Sequence, residues 1–268
     1  MVRAAHMVLD GEPKILNDPT VLQLLGAAAL ERIRAVSGTL ESRTALGLRA
    51  HVVLRSRFAE DRLAEAVKRG ATQYVILGAG GDTFAYRQPD WARSIRIFEV
   101  DHLASQEDKR QRLGAAGIDV PPNLRYAAIN FETTTLRDGL VAAGVDFVAP
   151  TFFSWLGVTM YLTEAAIDAV LKTVAAFGRG SEIVFTYARR ESTERDPANG
   201  PSLAEIAVAA GEPWLSYFDA DELERKLQSF GFSNIYFLTA ADARARYFAD
   251  RTDNLQSPRH PSIVSAGV

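Results

Sequence analysis

The chain has 268 residues, 47% of them hydrophobic and 24% charged, an ordinary globular composition with enough apolar material for a sizeable core. Lys and Arg total 30 against 33 Asp and Glu, a formal net charge of -3, so the global basic excess expected of a nucleic-acid-binding protein is missing. With no cysteine there is no disulfide framework, thiolate metal site or cysteine nucleophile, and His6, His51, His102 and His260 lack zinc-ligand spacing, so no metal is expected.

The first residues, MVRAAHMVLDGEP, contain no apolar signal core. The most apolar later stretch, residues 147–162, is interrupted by Pro150, Thr151, Ser154 and Gly157. Neither resembles a secretory signal or a membrane span, which points to a cytoplasmic protein with no membrane partner. Residues 3–70 read as helical. Asp18-Pro19 predicts a helix start running through Leu30, since Asp is a good N-cap and Pro suits the first helical position. A second helix is predicted from Leu48 to Arg69, with Val52, Val53, Phe58 and Leu63 set against Arg49, Arg55, Arg57 and Arg62.

The stretch from Gln73 to Asp101 organises the rest. An apolar run, Tyr74 to Leu77, stops at Gly78-Ala79-Gly80-Gly81, and a second β-rich run, Ile95 to Val100, ends in Asp101. This reads as strand, glycine turn, helical crossover, strand and acid. A continuous apolar run suits a parallel strand covered on both faces. Glycines at its end let the backbone turn with positive φ and approach a ligand, and an acid about twenty residues on can accept hydrogen bonds from ribose hydroxyls. The expected ligand is an adenosine-containing cofactor. The third glycine of the phosphate-cradling pattern is missing, which suits S-adenosylmethionine, with a ribose and no phosphate, better than NAD.

Beyond Asp101, strands and helices alternate. Residues 105–116 read as a helix, 124–131 as a strand, 136–143 as a helix, 151–158 as a strand, 163–177 as a helix and 181–187 as a strand. Residues 189–216 break the rhythm with Pro197, Pro201 and Pro213 before Trp214 and Tyr217, and an insertion at a strand's carboxyl end commonly forms a lid or substrate wall. A helix at 219–230 and strands at 234–239 and 262–268 follow, the last reached without a crossover helix and able to run antiparallel. The predicted fold is α/β, a Rossmann-like doubly wound seven-stranded sheet with a helical N-terminal extension and a lid insertion after the fifth strand. One domain over 1–268 is expected, comprising a helical part (1–70), a cofactor-binding core (71–188), the lid (189–217) and a C-terminal helix with strands (218–268).

Taken together, Arg55-x-Arg57-x-x-x-Asp61, QYVILGAGGDTFAYR, FEVDH and SWLGVTMYLT resemble the leucine carboxyl methyltransferase family of class I S-adenosylmethionine-dependent methyltransferases, over roughly residues 3–237. The resemblance implies that Gly78, Ala79 and Gly80 lie against the cofactor, that Asp101 holds its ribose, and that Asn130 and Phe131 lie by the adenine where the family usually has Asp-Leu. It also implies that Arg57 matches an arginine holding the cofactor's carboxylate. Many members carry Glu at the position of Leu156; here only apolar packing on the cofactor is available, which favours the bacterial branch acting on polyketides and other small molecules.

The implied reaction is O-methylation of a carboxylate or hydroxyl of a small-molecule acceptor, with Tyr187, Trp214 and Tyr217 expected at the acceptor. A carboxylate needs no base, whereas a phenol with a pKa of about 10 must lose its proton. Candidate bases are His6, His102, Tyr161 and Tyr187, and an arginine for a carboxylate acceptor could be Arg3 or Arg189; no catalytic residue is assigned. A nicotinamide-dependent oxidoreductase would use the same glycine turn and acid, yet Tyr161 is followed four residues later by Ala165 rather than Lys. A non-catalytic adenosylmethionine-binding protein is the other alternative.

Overall fold

The computed structural model of the protein describes residues 1–129, 134–190, 203–209 and 211–268. Seven strands form one sheet in the order β3-β2-β1-β4-β5-β7-β6. These are β1 (Gln73–Leu77), β2 (Arg96–Asp101), β3 (Leu124–Ala128), β4 (Thr151–Trp155), β5 (Glu182–Thr186), β6 (Ser233–Phe237) and β7 (Ile263–Gly267). The first five pair in parallel, and β7 runs antiparallel between β5 and β6. The helices are α1 (Val2–Leu9), α2 (Pro19–Leu25), α3 (Ala27–Ala35), α4 (Ser37–Leu40), α5 (Arg43–Lys68), α6 (Leu103–Ala115), α7 (Leu136–Ala142), α8 (Glu164–Ala175), α9 (Leu203–Ala209), α10 (Ala220–Ser229) and α11 (Ala240–Ala243). The doubly wound sheet, its antiparallel last strand and the helical N-terminal part agree with expectation.

Strand alternation divides β1 between two cores. Tyr74 and Ile76 join the cluster packed beneath α5, with Val53, Leu54, Phe58 and Leu63. Val75 and Leu77 face the opposite cluster, with Ile167, Leu171 and Val174 of α8. Every residue of β1, β4 and β5 is buried, as strands covered on both faces require.

Several expected elements change. The helix expected from Pro19 to Leu30 breaks at Gly26, whose φ of 73° ends α2 and starts α3. Asp18 does cap it, accepting from the Val21 amide at 3.1 Å. The helix placed at Leu48 starts earlier, at Arg43, with Ser42 as its cap. The crossover between β1 and β2 is not an α-helix; it consists of two 3₁₀ turns, Phe84–Tyr86 and Asp90–Ser94. Pro89 sits between them and precludes one continuous helix. The strand expected over 151–158 ends at Trp155, because Gly157 turns at a φ of 76° into a 3₁₀ turn at Thr159–Tyr161.

Buried charges anchor the N-terminal helices. Asp10, at the end of α1, receives Arg49 of α5 through Nε at 2.8 Å and Nη2 at 2.8 Å, and pairs with His6 Nδ1 at 2.7 Å. Farther along, the Gly11 amide donates to Asp253 Oδ2 at 2.7 Å and Arg251 Nη1 donates to the Pro13 carbonyl at 2.8 Å. The strap of residues 251–262 is thereby fastened to the loop after α1 at one end, and it runs into β7 at the other.

Burial by itself would raise the Asp10 carboxyl, but hydrogen bonds from His6 and Arg49 outweigh it and hold the group below its ordinary value of 3.8. A carboxyl lowered on folding contributes stability that is complete above its unfolded pKa and lost as pH falls through the folded one. Asp10→Ala, which takes from the buried Arg49 its close carboxylate and leaves it the Leu40 carbonyl and Glu41 at 3.7 Å, should cost about 3–5 kcal/mol in urea unfolding at neutral pH. The variant should also lack the part of the acid-induced loss that Asp10 protonation causes in the parent; identical acid profiles would refute this role.

Candidate active site

The carboxyl ends of β1 and β4 meet where the chain leaves the sheet in opposite directions, the position at which doubly wound sheets open a crevice. Gly78 turns there at a φ of 66°, and a Cβ on it would lie 2.5 Å from Val158 Cγ2, so a side chain does not fit without displacing Val158. Gly80, at a φ of 43°, donates its amide to Asp101 Oδ2 at 2.5 Å, and Asp101 Oδ1 accepts from the His102 amide at 2.7 Å. The acid at the end of β2 is therefore already bound to the turn at the end of β1. Ala79 is buried against it, and Leu156, half-buried, packs on the core beside α5. Gly78, Ala79, Gly80, Asp101 and Leu156 thus share one end of the sheet. Asn130 and Phe131 lie outside the described residues.

The N-terminal helices roof the turn. Arg3 donates to the Gly81 carbonyl and pairs with Asp18 at 3.4 Å, while Thr83 Oγ1 donates to Asp18 Oδ2 at 2.7 Å. Beneath it, Lys109 of α6 pairs with the buried Glu99 of β2 at 2.7 Å, and Gln106 of α6 bonds the Glu99 and Ala127 carbonyls. Burial raises the Glu99 carboxyl to about 7 despite Lys109.

Arg57 is not part of this crevice. It lies on the outer face of α5, ion-paired with Asp61 at 3.0 Å, in a separate groove with Lys14, Arg246 and Tyr247. Two residues along an α-helix are about 200° apart, so of Arg55 and Arg57 only one can face the sheet ends. That one is Arg55. It borders both a crevice of about 520 Å³ containing Arg3, Gly80 and Gly81 and a cavity of about 600 Å³ containing Gly157, Tyr161, Tyr187 and Trp214. Burial lowers its pKa to about 10, Arg3 adds to that and Tyr161 opposes it, so it remains protonated at neutral pH. Among the described residues no carboxylate acts on it. A half-buried cation is favoured by an anionic neighbour.

The larger cavity is walled by α5, the turn after β4, the end of β5, α9 and the strap. Tyr187 and Trp214 line it as expected; Tyr217 does not, and instead lies with its ring 6.1 Å from that of Trp214. Of the four candidate bases, Tyr161 and Tyr187 reach this cavity. His6 is fully buried against Asp10, and His102 is exposed as the cap of α6, accepting from the Ala104 amide. Of the two candidate arginines, Arg3 belongs to the crevice and Arg189 to the cavity. The lid expected over 189–216 is described in part, and α9 and Trp214 supply its share of the wall.

His51, one of the four histidines without zinc-ligand spacing, lines the cavity one helical turn before Arg55. The readable signal was the four-residue spacing, which stacks two side chains on one helix face.

The chain matches the family described as leucine carboxyl methyltransferase over residues 1–175. It is 36% identical over 206 residues to YktD of Bacillus subtilis, which carries the name of an S-adenosyl-L-methionine-dependent methyltransferase; the match covers 76% of this chain and 67% of that protein. A DUF574-family protein from Streptomyces avermitilis has the same fold, with a TM-score of 0.59 at 16% identity over 99% of this chain and 95% of that one. A protein from Thermobifida fusca, titled a methyltransferase, superposes with a TM-score of 0.56 at 19% identity, over 99% and 92% of the two chains.

Gly157 adopts a φ of 76°, and a Cβ there would lie 2.6 Å from Arg55 Nη1. Gly157→Ala should therefore cost about 1–2 kcal/mol in backbone strain and push the guanidinium away from the turn. Thermal unfolding and a crystal structure of the variant would check both, and an unmoved Arg55 would contradict the contact.

Proposed function

We propose that this chain, which belongs to the leucine carboxyl methyltransferase family and is an S-adenosylmethionine-dependent methyltransferase, moves the methyl group to an oxygen of a small molecule held in the cavity lined by Tyr187 and Trp214. The observation that carries this reading is Arg55, a half-buried guanidinium without a carboxylate partner among the described residues, placed between the glycine turn and that cavity.

The residues present fit such a cofactor. Asp101 offers a carboxylate to two ribose hydroxyls, the glycine turn offers backbone without Cβ atoms, Leu156 offers an apolar surface, and Arg55 offers a fork for an amino-acid carboxylate. The turn lacks the glycine spacing that favours pyrophosphate, in keeping with a cofactor that carries none. When bound, the cofactor supplies an electrophilic methyl on a positively charged sulfur. The chain's contribution is alignment and exclusion of water: charge disperses as sulfonium and oxygen nucleophile combine, so an apolar wall assists, and positioning alone is worth several kcal/mol, on the order of the effective-molarity gains of intramolecular reactions.

Calorimetric titration with S-adenosylhomocysteine tests the crevice. Asp101→Ala should weaken binding about tenfold or more without loss of fold, because both ribose contacts go with one carboxylate. Arg55→Ala should weaken S-adenosylhomocysteine more than adenosine, which has no carboxylate, while Arg57→Ala should leave both unchanged. Equal losses from the two arginine variants would overturn the assignment of Arg55. Transfer of tritium from labelled cofactor to a small acceptor, recovered as an ether or ester, tests the reaction itself.

A further inference from the structure

We propose that His51 is the catalytic base for a phenolic or enolic acceptor, taking its proton as the oxygen is methylated. This rests on the methyltransferase reading above and specifies the acceptor of the same cavity.

His51 and Arg55 stand four residues apart on α5 and both line the 600 Å³ cavity, so the face that ends the cofactor crevice also begins the acceptor wall. The backbone of Pro261 in the strap lies close enough to the His51 ring to favour its protonated form. A neutral imidazole carries one N–H and one nitrogen with a free lone pair, so a ring that turns its N–H toward the strap still accepts on the other nitrogen. Burial, reinforced by Arg55, lowers the ring's pKa to about 3, while the Pro261 backbone opposes the shift. The imidazole is therefore neutral and able to accept throughout the physiological range.

The charged and titratable groups around it come from every wall. Arg55 shares its helix, Tyr161 follows β4, Tyr187 and Arg189 end β5, Glu212 follows α9, and His260 lies in the strap. Arg189 Nη1 and His260 Nδ1 are 3.1 Å apart. A carboxylate acceptor would be recognised by a guanidinium and would need no base; of the two that line this cavity, Arg55 is assigned above to the cofactor's carboxylate and Arg189 is engaged by His260. The remaining wall is mostly apolar, with Val52, Met160, Ile206 and Trp214. A neutral, hydroxyl-bearing aromatic or enolic scaffold fits that chemistry.

The step balances. The acceptor O–H bond breaks and its proton goes to His51; the oxygen lone pair forms the O–CH3 bond; the C–S bond breaks and its pair stays on sulfur. The products are a methyl ether, S-adenosylhomocysteine and an imidazolium. Positive charge lost at sulfur reappears on the ring, so the cavity's net charge does not change during transfer. Because an imidazole cannot ionise an aliphatic alcohol efficiently, the acceptor hydroxyl must be acidic, with a pKa of about 10 or below.

The test compares 2-naphthol with 2-naphthoate in the parent and His51→Gln. Binding of S-adenosylhomocysteine is measured first by calorimetry; its absence from the parent would reject the methyltransferase reading rather than the role of His51. In the presence of S-adenosylhomocysteine, the parent should bind 2-naphthol and His51→Gln should bind it at least about tenfold more weakly. With the methyl donor, the parent should methylate 2-naphthol at a kcat nearly level between about pH 6 and 8, whereas transfer to pre-ionised phenolate would rise tenfold per pH unit over that range. His51→Gln should lower kcat by about 100-fold or more and adopt the rising profile, with S-adenosylhomocysteine affinity retained. Should the substitution unfold the protein, the parent's pH profile still decides. The proposal is overturned if 2-naphthoate is preferred, if neither compound is methylated by protein that binds S-adenosylhomocysteine, if the parent's profile rises tenfold per unit, or if His51→Gln matches the parent.

Discussion

Pairing β1 in parallel on both sides constrains everything that follows. From its carboxyl end β1 sends the chain to β2 on one side, while the parallel β4 beside it sends the chain to β5 on the other, so a crevice opens between the two carboxyl ends. The gap is finished by atoms that need little room. Gly78 faces Val158 and Gly157 faces Arg55, so two glycines bring side chains closer than a Cβ would permit, while Gly80 binds Asp101 at a φ of 43° that favours glycine. The site is built at the sheet's opening rather than added to it.

Much of this could be read from the chain. The apolar run of β1, the glycine turn and Asp101 predicted the crevice because strand burial and ribose recognition each demand specific residues at a set distance. The antiparallel β7 was foreseeable from the missing crossover. The crossover after β1 was not, since two short 3₁₀ turns carry no period and Pro89 marks only that something must bend. Nor was Gly26 an evident break: a glycine within a periodic apolar stretch costs about 1 kcal/mol, which tertiary packing decides for or against.

The arginines show where pattern ends and geometry begins. Arg55 and Arg57 both belong to the same basic segment, and a family pattern matched to residue types selects one without regard to direction. Helix phase selects the other. The same phase brings His51 into line with Arg55, and the strap residue that acts on its ring, Pro261, lies too far along the sequence for any local pattern to reveal. Arg57 meanwhile joins Asp61, Arg246 and Tyr247 in a polar cluster over the single π-helical turn at Arg244–Phe248.

The strap also has a mechanical meaning. One end is pinned at Gly11 and Pro13 by Asp253 and Arg251, and the other is drawn into the middle of the sheet as β7. A segment held at both ends behaves as a bridge rather than a flap, so Pro258, His260 and Ser262 form a fixed jamb of the cavity. Which molecules fit against that fixed wall should then be set by the side chains that share the lining with it, Ile206 of α9 and Trp214 among them.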